Sequence, residues 1–492
     1  MIKRGARMIF HRMNFFPSGQ RFVLLSMFGM ICLFQCVGHA VSLDWSGNYR
    51  FDFVNIDKSE LKSGSQKSYL LNSLVLMPHI IPSDGFEVVS KIHLADDPNS
   101  PYKNSSQAGL IWGSSVNSGT ATYLDDSNAL SGSRPKTSLT VSQLYLKVEQ
   151  EWGSLIIGRA PVQFGLGITH NAGNDPFNHW FDTRDMLAYK VHIGNLFIMP
   201  SVSKQFAGDF AAGNEISNQT LHFEYKNHDT GDWLGLFYET SKGSASANDI
   251  PPSLIGGASI DKSLSLNSYN IVLGKDFTDF NFRVEGGFQS GSTGVITAAG
   301  RNILMSSYAV ISEFSILPGE GKNSWNIKAG TVSGDNPDTE DFEGFFVDRN
   351  YDIALILFNH SLGQNADIFK TKLGHNPSTS VKNSLDDEFI SNVIFVTPQW
   401  IYQLADRWKM RNALTFARLN NALVKVGSST ETISSDVGLE WDLAFNYKAN
   451  DNMDWKFELG VLHPGAAFKM GSANLKNSDT VLGFGTSAAI TF

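Results

Sequence analysis

The chain has 492 residues, 12% of them aromatic, two cysteines, and 39 Lys and Arg against 48 Asp and Glu. An excess of acid argues against a nucleic-acid partner, whose phosphates are held by bases. With a mean hydropathy of -0.14 and no stretch after Ala40 approaching about 18 unbroken apolar residues, transmembrane helices are excluded, whereas a transmembrane barrel of alternating strands is not.

The first 40 residues read as a secretory signal. Lys3, Arg4, Arg7, Arg12 and Arg21 precede the short apolar run Phe22 to Phe34, and Gly38-His39-Ala40 supplies the small residues of a cleavage site. Met8 and Met13 are alternative starts, and Cys36 offers a lipoprotein reading that Gln35 fits poorly. Cleavage after Ala40 removes both cysteines and five bases, which excludes disulfides and leaves 34 bases against 48 acids, a formal charge of -14.

From residue 41 to residue 492 the pattern predicts one all-β domain, a transmembrane antiparallel β-barrel. In LDWSGNYRFDFVNID, Trp45, Tyr49, Phe51 and Phe53 share one face and Asp44, Asn48, Arg50 and Asp52 the other. DFNFRVEGGFQ sets Phe280, Phe282, Val284 and Phe288 against Arg283, Glu285 and Gln289. VGLEWDLAFNYK sets Val437, Leu439, Trp441, Leu443, Phe445 and Tyr447 against Glu440, Asp442, Asn446 and Lys448. A half-buried soluble sheet alternates in the same way. The signal segment and the closing strand VLGFGTSAAITF, ending on aromatic Phe492, turn the reading toward lipid. That strand implies the barrel-assembly machinery as a partner, and the lipid and lipopolysaccharide of the bacterial outer membrane as surroundings.

Eight short turns alternate with nine longer loops: Pro82 to Gly85, Glu151 to Gly153, Gly194-Asn195, Asp229 to Asp232, Asp276 to Asp279, Pro318 to Gly321, Leu404 to Asp406 and Ala449 to Asn452 are the turns. They predict about 18 strands, with short periplasmic turns and long extracellular loops. The parity closes if the strand-like segment Phe346 to Phe358 is left inside a loop. A barrel of this size is too wide to be filled by its wall side chains. Asp96 to Lys136, Pro161 to Asp185 and Gly334 to Glu388 are long enough to fold inward or cap it. In the last, a possible gate or plug spanning 334–388, Asp335, Glu340, Asp341, Glu343, Asp348 and Arg349 stand among Phe342, Phe345, Phe346 and Tyr351, a mixture that can pack while presenting charge. These acids lack the EF-hand order, so they read as a solvated acidic loop; no metal and no cofactor are expected.

LIIGRAPVQFGLGITHNAGNDPFNHWFDTRD resembles the alginate-export family of outer-membrane barrels through Gly158-Arg159, Gly165, Gly167, Phe181-Asp182 and Arg184 or Asp185. SGDNPDTEDFEGFFVDRNYD is similar to that family's long loop, and Gly438, Glu440, Asp442, Gly460, Pro464 and Gly465 to its closing hairpin. The resemblance implies a passive conduit for an anionic polysaccharide, whose wall needs Arg and Lys. Strand parity gives an expected lining of Arg50, Lys147, Arg283, Lys328, Lys409, Arg411, Glu440 and Asp442, with Arg407 in the same row as Lys409 and Arg411 and Arg159 as a further candidate. Arg407, Lys409 and Arg411 carry no acid among them and form the expected anion-attracting patch. Elsewhere Arg283 with Glu285, Lys456 with Glu458 and Lys147 with Glu149 are spaced to pair along the wall. Arg159 conflicts in parity with Leu155 and Ile157, so an inward Arg159 needs a bulge.

The histidines are scattered, with no nucleophile motif beside them, so no catalytic residue is named and no enzyme is expected. An energy-coupled transporter needs a plug domain ahead of its first strand, which Trp45 begins almost at the cleavage site. The reading is a channel for hydrophilic solutes or oligosaccharide; a general diffusion porin and a non-conducting adhesive barrel are the alternatives.

Overall fold

The computed structural model describes residues 42–96, 110–111, 138–207, 215–243, 259–260, 264–296, 301–316, 323–336, 339, 341–363, 389–422, 432–471 and 478–492. The expected signal segment, most of the 96–136 loop, the expected turn Pro318 to Gly321, Glu340 and residues 364–388 lie outside the described residues.

The strands are β1 (Ser42–Ile56), β2 (Lys67–Ser83), β3 (Phe86–Asp96), β4 (Leu110–Ile111), β5 (Ser138–Gln150), β6 (Gly153–Pro161), β7 (Thr183–Ile193), β8 (Leu196–Ala207), β9 (Glu215–Asn227) and β10 (Asp232–Gly243). They continue with β11 (Ser259–Ile260), β12 (Leu264–Asp276), β13 (Phe280–Ile296), β14 (Asn302–Ile316), β15 (Asn323–Val332), β16 (Val393–Ala405), β17 (Trp408–Leu419), β18 (Asp436–Asn450), β19 (Met453–Pro464) and β20 (Val481–Thr491). Eighteen of them form the wall, each antiparallel to the next, while the two-residue β4 and β11 add to β2 and β13. A short helix α1 (Ala466–Gly471) follows β19.

The sheet closes because β1 pairs on both sides: Arg50 stands opposite Ser73 of β2 and opposite Ala489 of β20. Closure gives every wall strand two partners, the condition hydrocarbon imposes on a spanning sheet. Backbone bonds Gly47 N to Phe492 O (2.8 Å) and Phe492 N to Gly47 O (3.0 Å) fasten the last residue to the first strand. The seven predicted turns among the described residues fall in the predicted order, and Phe346 to Phe358 lies in the loop between β15 and β16 without forming a strand.

Outward residues make a continuous apolar belt: Tyr49, Leu144, Leu234, Ile271, Leu273, Tyr308, Trp325, Ile394, Trp441 and Phe484 are all exposed. Tyr238, Tyr269, Phe288 and Tyr308 follow one another in register across β10, β12, β13 and β14 as part of an aromatic band. Val437 departs from the expected face. A register shift between Ala417 and Arg418 leaves it unpaired beside Gly438 at φ 127°, and it is fully buried in the interior cluster instead of facing lipid.

The interior is not an empty cylinder. Ile56, Ile311, Val332, Val393, Phe395, Leu419 and Leu462 of the wall bury themselves against Phe345, Ile353, Ile356, Leu357 and Phe358 of the β15–β16 loop. Each fully buried Ile, Leu or Phe contributes roughly 1.5–3 kcal/mol, so this loop is packed as a core element.

The belt predicts a depth-dependent response. Ile271→Arg, in the middle of β12 and facing out, is expected to destabilise the barrel by about 2–4 kcal/mol, against about 0–1 kcal/mol for Leu304→Arg at the outer start of β14. Reversible denaturant unfolding in lipid vesicles measures both; equal costs would contradict a lipid-facing belt.

Candidate functional site

Among the described residues two loop segments cross the lumen, and wall carboxylates hold both. The first, 162–182, leaves β6 at its outer end. Gly165 and Gly167, at φ 52° and 79°, turn its backbone toward β13. There Glu285, with no exposed surface, accepts Leu166 N at 2.5 Å and Thr169 Oγ1 at 3.2 Å. A side chain at Gly165 would collide with that carboxylate, so glycine serves both the positive φ and the close approach. Phe164 fills the space beside Phe237, His222 and inward Gly235.

The second, 333–363, leaves β15. Glu440 and Asp442 of β18, both buried, face its tip. Glu440 accepts Ile356 N at 2.5 Å and Leu357 N at 2.8 Å, and Asp442 accepts Leu355 N at 3.2 Å. Thr415 Oγ1 of β17 donates to Ile353 O at 3.0 Å. Earlier in the loop, the acids of the expected gate tie it down. Asp335 accepts Glu343 N (3.0 Å), Glu343 accepts Asn336 N (3.1 Å), and Asp341 accepts Leu304 N (3.2 Å) and the Arg301 guanidinium (3.1 Å). Such backbone N–H groups, buried and unpaired, would cost about 1–3 kcal/mol each.

The loops also grip each other. Asp348 N donates to Ile168 O at 2.8 Å, and Asn350 Oδ1 accepts both His179 N (3.2 Å) and Trp180 N (3.0 Å) while its Nδ2 donates to Trp180 O (2.9 Å). The Arg349 guanidinium lies 4.5 Å from the Trp180 ring centre. Against the wall, Arg50 bonds Asp52 at 2.7 Å and donates to the carbonyls of Pro176 and Asn178, His179 Nε2 lies 3.4 Å from Asp52, and Lys91 Nζ donates to Gly173 O at 2.8 Å. On the opposite side Tyr351 Oη donates to Glu313 of β14 at 2.8 Å, and Lys328 Nζ donates to Asp352 O at 2.9 Å. Asp352 itself is exposed inside the barrel, where the ionisable groups of Lys456, Lys328, Glu458 and His179 act on it electrostatically.

Several sequence expectations change here. Glu440 and Asp442 face inward but lie beneath the loop, and so are anchors closed off from the lumen. Arg50 is likewise buried, at 3% exposure, under the first loop. Arg283 does not pair with Glu285; it reaches Asp276 at 2.5 Å, because Glu285 is engaged by the loop. Arg159 faces out. No bulge intervenes in β6, its register partners Leu144 and Asp185 are exposed beside outward Ile157 and Leu187, and it forms a bidentate pair with Asp185 at 2.7 and 2.8 Å. Arg407 lies in the β16–β17 turn and donates to Ala449 O. Arg411 is not without an acid, since Glu458, two strands away, stands 3.1 Å from it.

Of the inward charged residues of β15, β17 and β19, Lys328, Arg411, Lys456 and Glu458 stay partly exposed, with Lys409 nearer the turn. Lys147, paired with Glu149 and Glu87, and Lys226, paired with Glu224, line the opposite wall. Pairing with Glu458 across β17, β18 and β19 was not legible from parity along one strand.

Within the loops, two groups have shifted protonation. Burial pushes His170 below its ordinary value, and its ring, edge-on to Phe237 at 4.4 Å, packs as a neutral aromatic. Burial first, then the Asp182 carboxylate, raises Asp348 well above the ordinary carboxylate range. Among the described residues no group of three or more His, Cys, Asp or Glu could hold a metal ion.

No protein-family model matches the chain, and no curated protein matches it. The resemblance to alginate-export barrels therefore has no support from those comparisons. Solved structures do match. Pseudomonas aeruginosa OccK9 (OpdG) is similar with a TM-score of 0.52 at 11% identity, covering 92% of this chain and 98% of that one. P. aeruginosa OpdQ gives 0.50 at 10% identity, covering 92% and 99%, and OccK2 (OpdF) gives 0.50 at 10% identity, covering 92% and 98%. These neighbours are outer-membrane porins, and the shared fold is the closed 18-strand antiparallel barrel. The protein is a β-barrel of the bacterial outer membrane.

The anchors predict a graded loosening. Glu440→Gln replaces one of two accepting oxygens by an amide donor facing a backbone N–H, and is expected to weaken the loop contact by about 1–3 kcal/mol. Single-channel recording should then show added higher-conductance substates, with faster amide exchange over residues 353–358; an unchanged trace would mean the carboxylate does not hold the loop.

Asp348 predicts a pH dependence. Its folded pKa is raised, so its contribution is full below the ordinary carboxylate range and is lost as pH rises through the elevated value. Raising pH from about 5 to about 9 should loosen the two-loop contact and increase current noise. Asp348→Asn should flatten that response, and a variant as pH-sensitive as the parent would remove Asp348 as its source.

Proposed function

We propose that this barrel is a passive outer-membrane channel for small hydrophilic solutes, with a constriction formed by the two inward loops. One observation carries the reading: both loops are hydrogen-bonded to buried wall carboxylates, the first to Glu285 of β13 and the second to Glu440 and Asp442 of β18. They narrow the lumen as part of the packed structure. Solutes pass between Asp352 and the wall group of Arg411, Glu458 and Lys456, which supplies exchangeable hydrogen bonds to hydroxyl and carboxylate groups.

This arrangement favours single small solutes over the anionic polysaccharide suggested by the alginate-export resemblance. A polymer needs a continuous bore with a one-signed basic lining. Here Arg411 and Lys456 share Glu458, Lys147 is paired with Glu149, and Arg283 with Asp276. Paired charges soften the field along the wall, which supports weak charge preference. A purely adhesive barrel is disfavoured because the described loop segments 162–182 and 333–363 point inward.

Planar-bilayer recording of the refolded chain, with uronate monomers and oligomers added, tests the proposal. Conductance is expected well below that of an unobstructed barrel of this strand number, with permeation of monomers and exclusion of long oligomers. Arg411→Gln with Lys456→Gln should move the anion-to-cation permeability ratio toward cations by roughly two- to threefold. Passage of long uronate chains would restore the polysaccharide reading, and a folded barrel without conductance would remove both.

A further inference from the structure

The outer surface carries a polar row that neither the channel nor the hydrocarbon belt requires. Arg159 of β6, Asp185 of β7, Lys204 of β8, Ser217 of β9 and Lys242 of β10 are consecutive register partners, all on the lipid side. Their outward direction follows from their neighbours: Ala160, Met186, Ser203 and Glu239 are buried inside, whereas Ile157, Leu187 and Val202 are exposed outside. The row lies near the ends of β6, β8 and β10 and the starts of β7 and β9, which is the loop side of the barrel. One step inward along the strands, the outward residues are Ile157, Leu187, Val202, Gln219 and Thr240; two steps inward they include Leu221 and Tyr238.

That placement puts three bases and one acid at the boundary between the apolar belt and the outer water, in a chain whose formal charge is -9. Bases at this depth lie level with lipid headgroups and attract anionic ones. With strands about 4.8 Å apart, Arg159 and Lys242 are roughly 19 Å apart along the row, wide enough to engage more than one phosphate. Asp185 takes two of the five Arg159 N–H donors in its bidentate pair and orients the guanidinium, leaving three donors for a ligand. A second copy of this chain fits the row poorly. Its identical row would bring like charge against like.

We infer that Arg159, Lys204 and Lys242 form a binding site on the outer face of the barrel for the phosphorylated headgroup of an outer-leaflet lipid, with the apolar belt below receiving its acyl chains. Asp185 is the positioning residue. The site is separate from the proposed constriction, on the other side of the wall, so its occupancy does not depend on what the channel passes.

The test is native mass spectrometry of the refolded barrel, without residues 1–40, in detergent, titrated with bis-phosphorylated lipid A, with dephosphorylated lipid A and with phosphatidylethanolamine. The intact protein is expected to retain the bis-phosphorylated lipid at concentrations about tenfold lower than the other two. Arg159→Gln with Lys204→Gln and Lys242→Gln should abolish that preference while conductance stays unchanged. Equal retention of phosphorylated and dephosphorylated lipid by the unaltered protein overturns the inference, and this arm needs no variant to fold. A triple variant that keeps the preference overturns it as well, as does one that alters only the oligomeric mass, which would make the row a protein contact.

Discussion

A backbone N–H group deprived of an acceptor is the constraint that shapes both sides of this wall. On the lipid side it forces closure, because hydrocarbon offers nothing to an open edge. β1 meets β20, and Phe492 exchanges two backbone bonds with Gly47. On the inner side the same constraint recurs where chain leaves the ladder and crosses the lumen. Leu166, Leu355, Ile356 and Leu357 have no strand neighbour, and Glu285, Asp442 and Glu440 take that place. The acids are spaced so that one strand face can receive a loop, much as an adjacent strand would.

That use of acid explains the lumen's electrostatics. Six of the carboxylates that parity alone places in the water of the channel divide into two populations. Asp52, Glu285, Glu440 and Asp442 are buried by loop contacts, while Glu149 and Glu458 remain at the passage, each within reach of a lysine. Arg50 goes with the first group and Arg411 with the second. The charge that a solute meets is therefore smaller than the inward sequence suggests, and it is concentrated between Asp352 and the Arg411–Glu458–Lys456 cluster.

The wall was legible because period-2 alternation survives wherever one face meets lipid, and because the short turns carry Gly, Asp and Asn. The segment Phe346 to Phe358 is strand-like in its own pattern and left the count only because a closed barrel needs an even number of strands. What alternation could not reveal was the environment of the inward face. Glu285 and Arg283 are two apart on one strand and read as a pair, yet a loop more than a hundred residues earlier in the chain takes Glu285. Arg159 was misplaced because its family-like Gly-Arg setting was given more weight than the parity of Leu155 and Ile157, which the register obeys without a bulge. Val437 shows the converse, a real bulge that nothing in VGLEWDL marks except Gly438.

A better signal for the inward loops was present in the wall's glycines. A glycine inside a strand weakens it, and it is kept where another part of the chain comes close. Gly235 and Gly287, on inward faces, lie against Phe164 and Phe345, while inward Gly460 and Gly483 both lie against Ile356. These contacts belong to the 162–182 and 333–363 loops, and the glycines stand on the faces where those loops dock. In a soluble sheet such positions would be filled by core side chains. In a barrel wide enough to hold its own loops, inward glycine and inward carboxylate together mark the docking track: the first makes room for a side chain, and the second accepts the backbone that carries it.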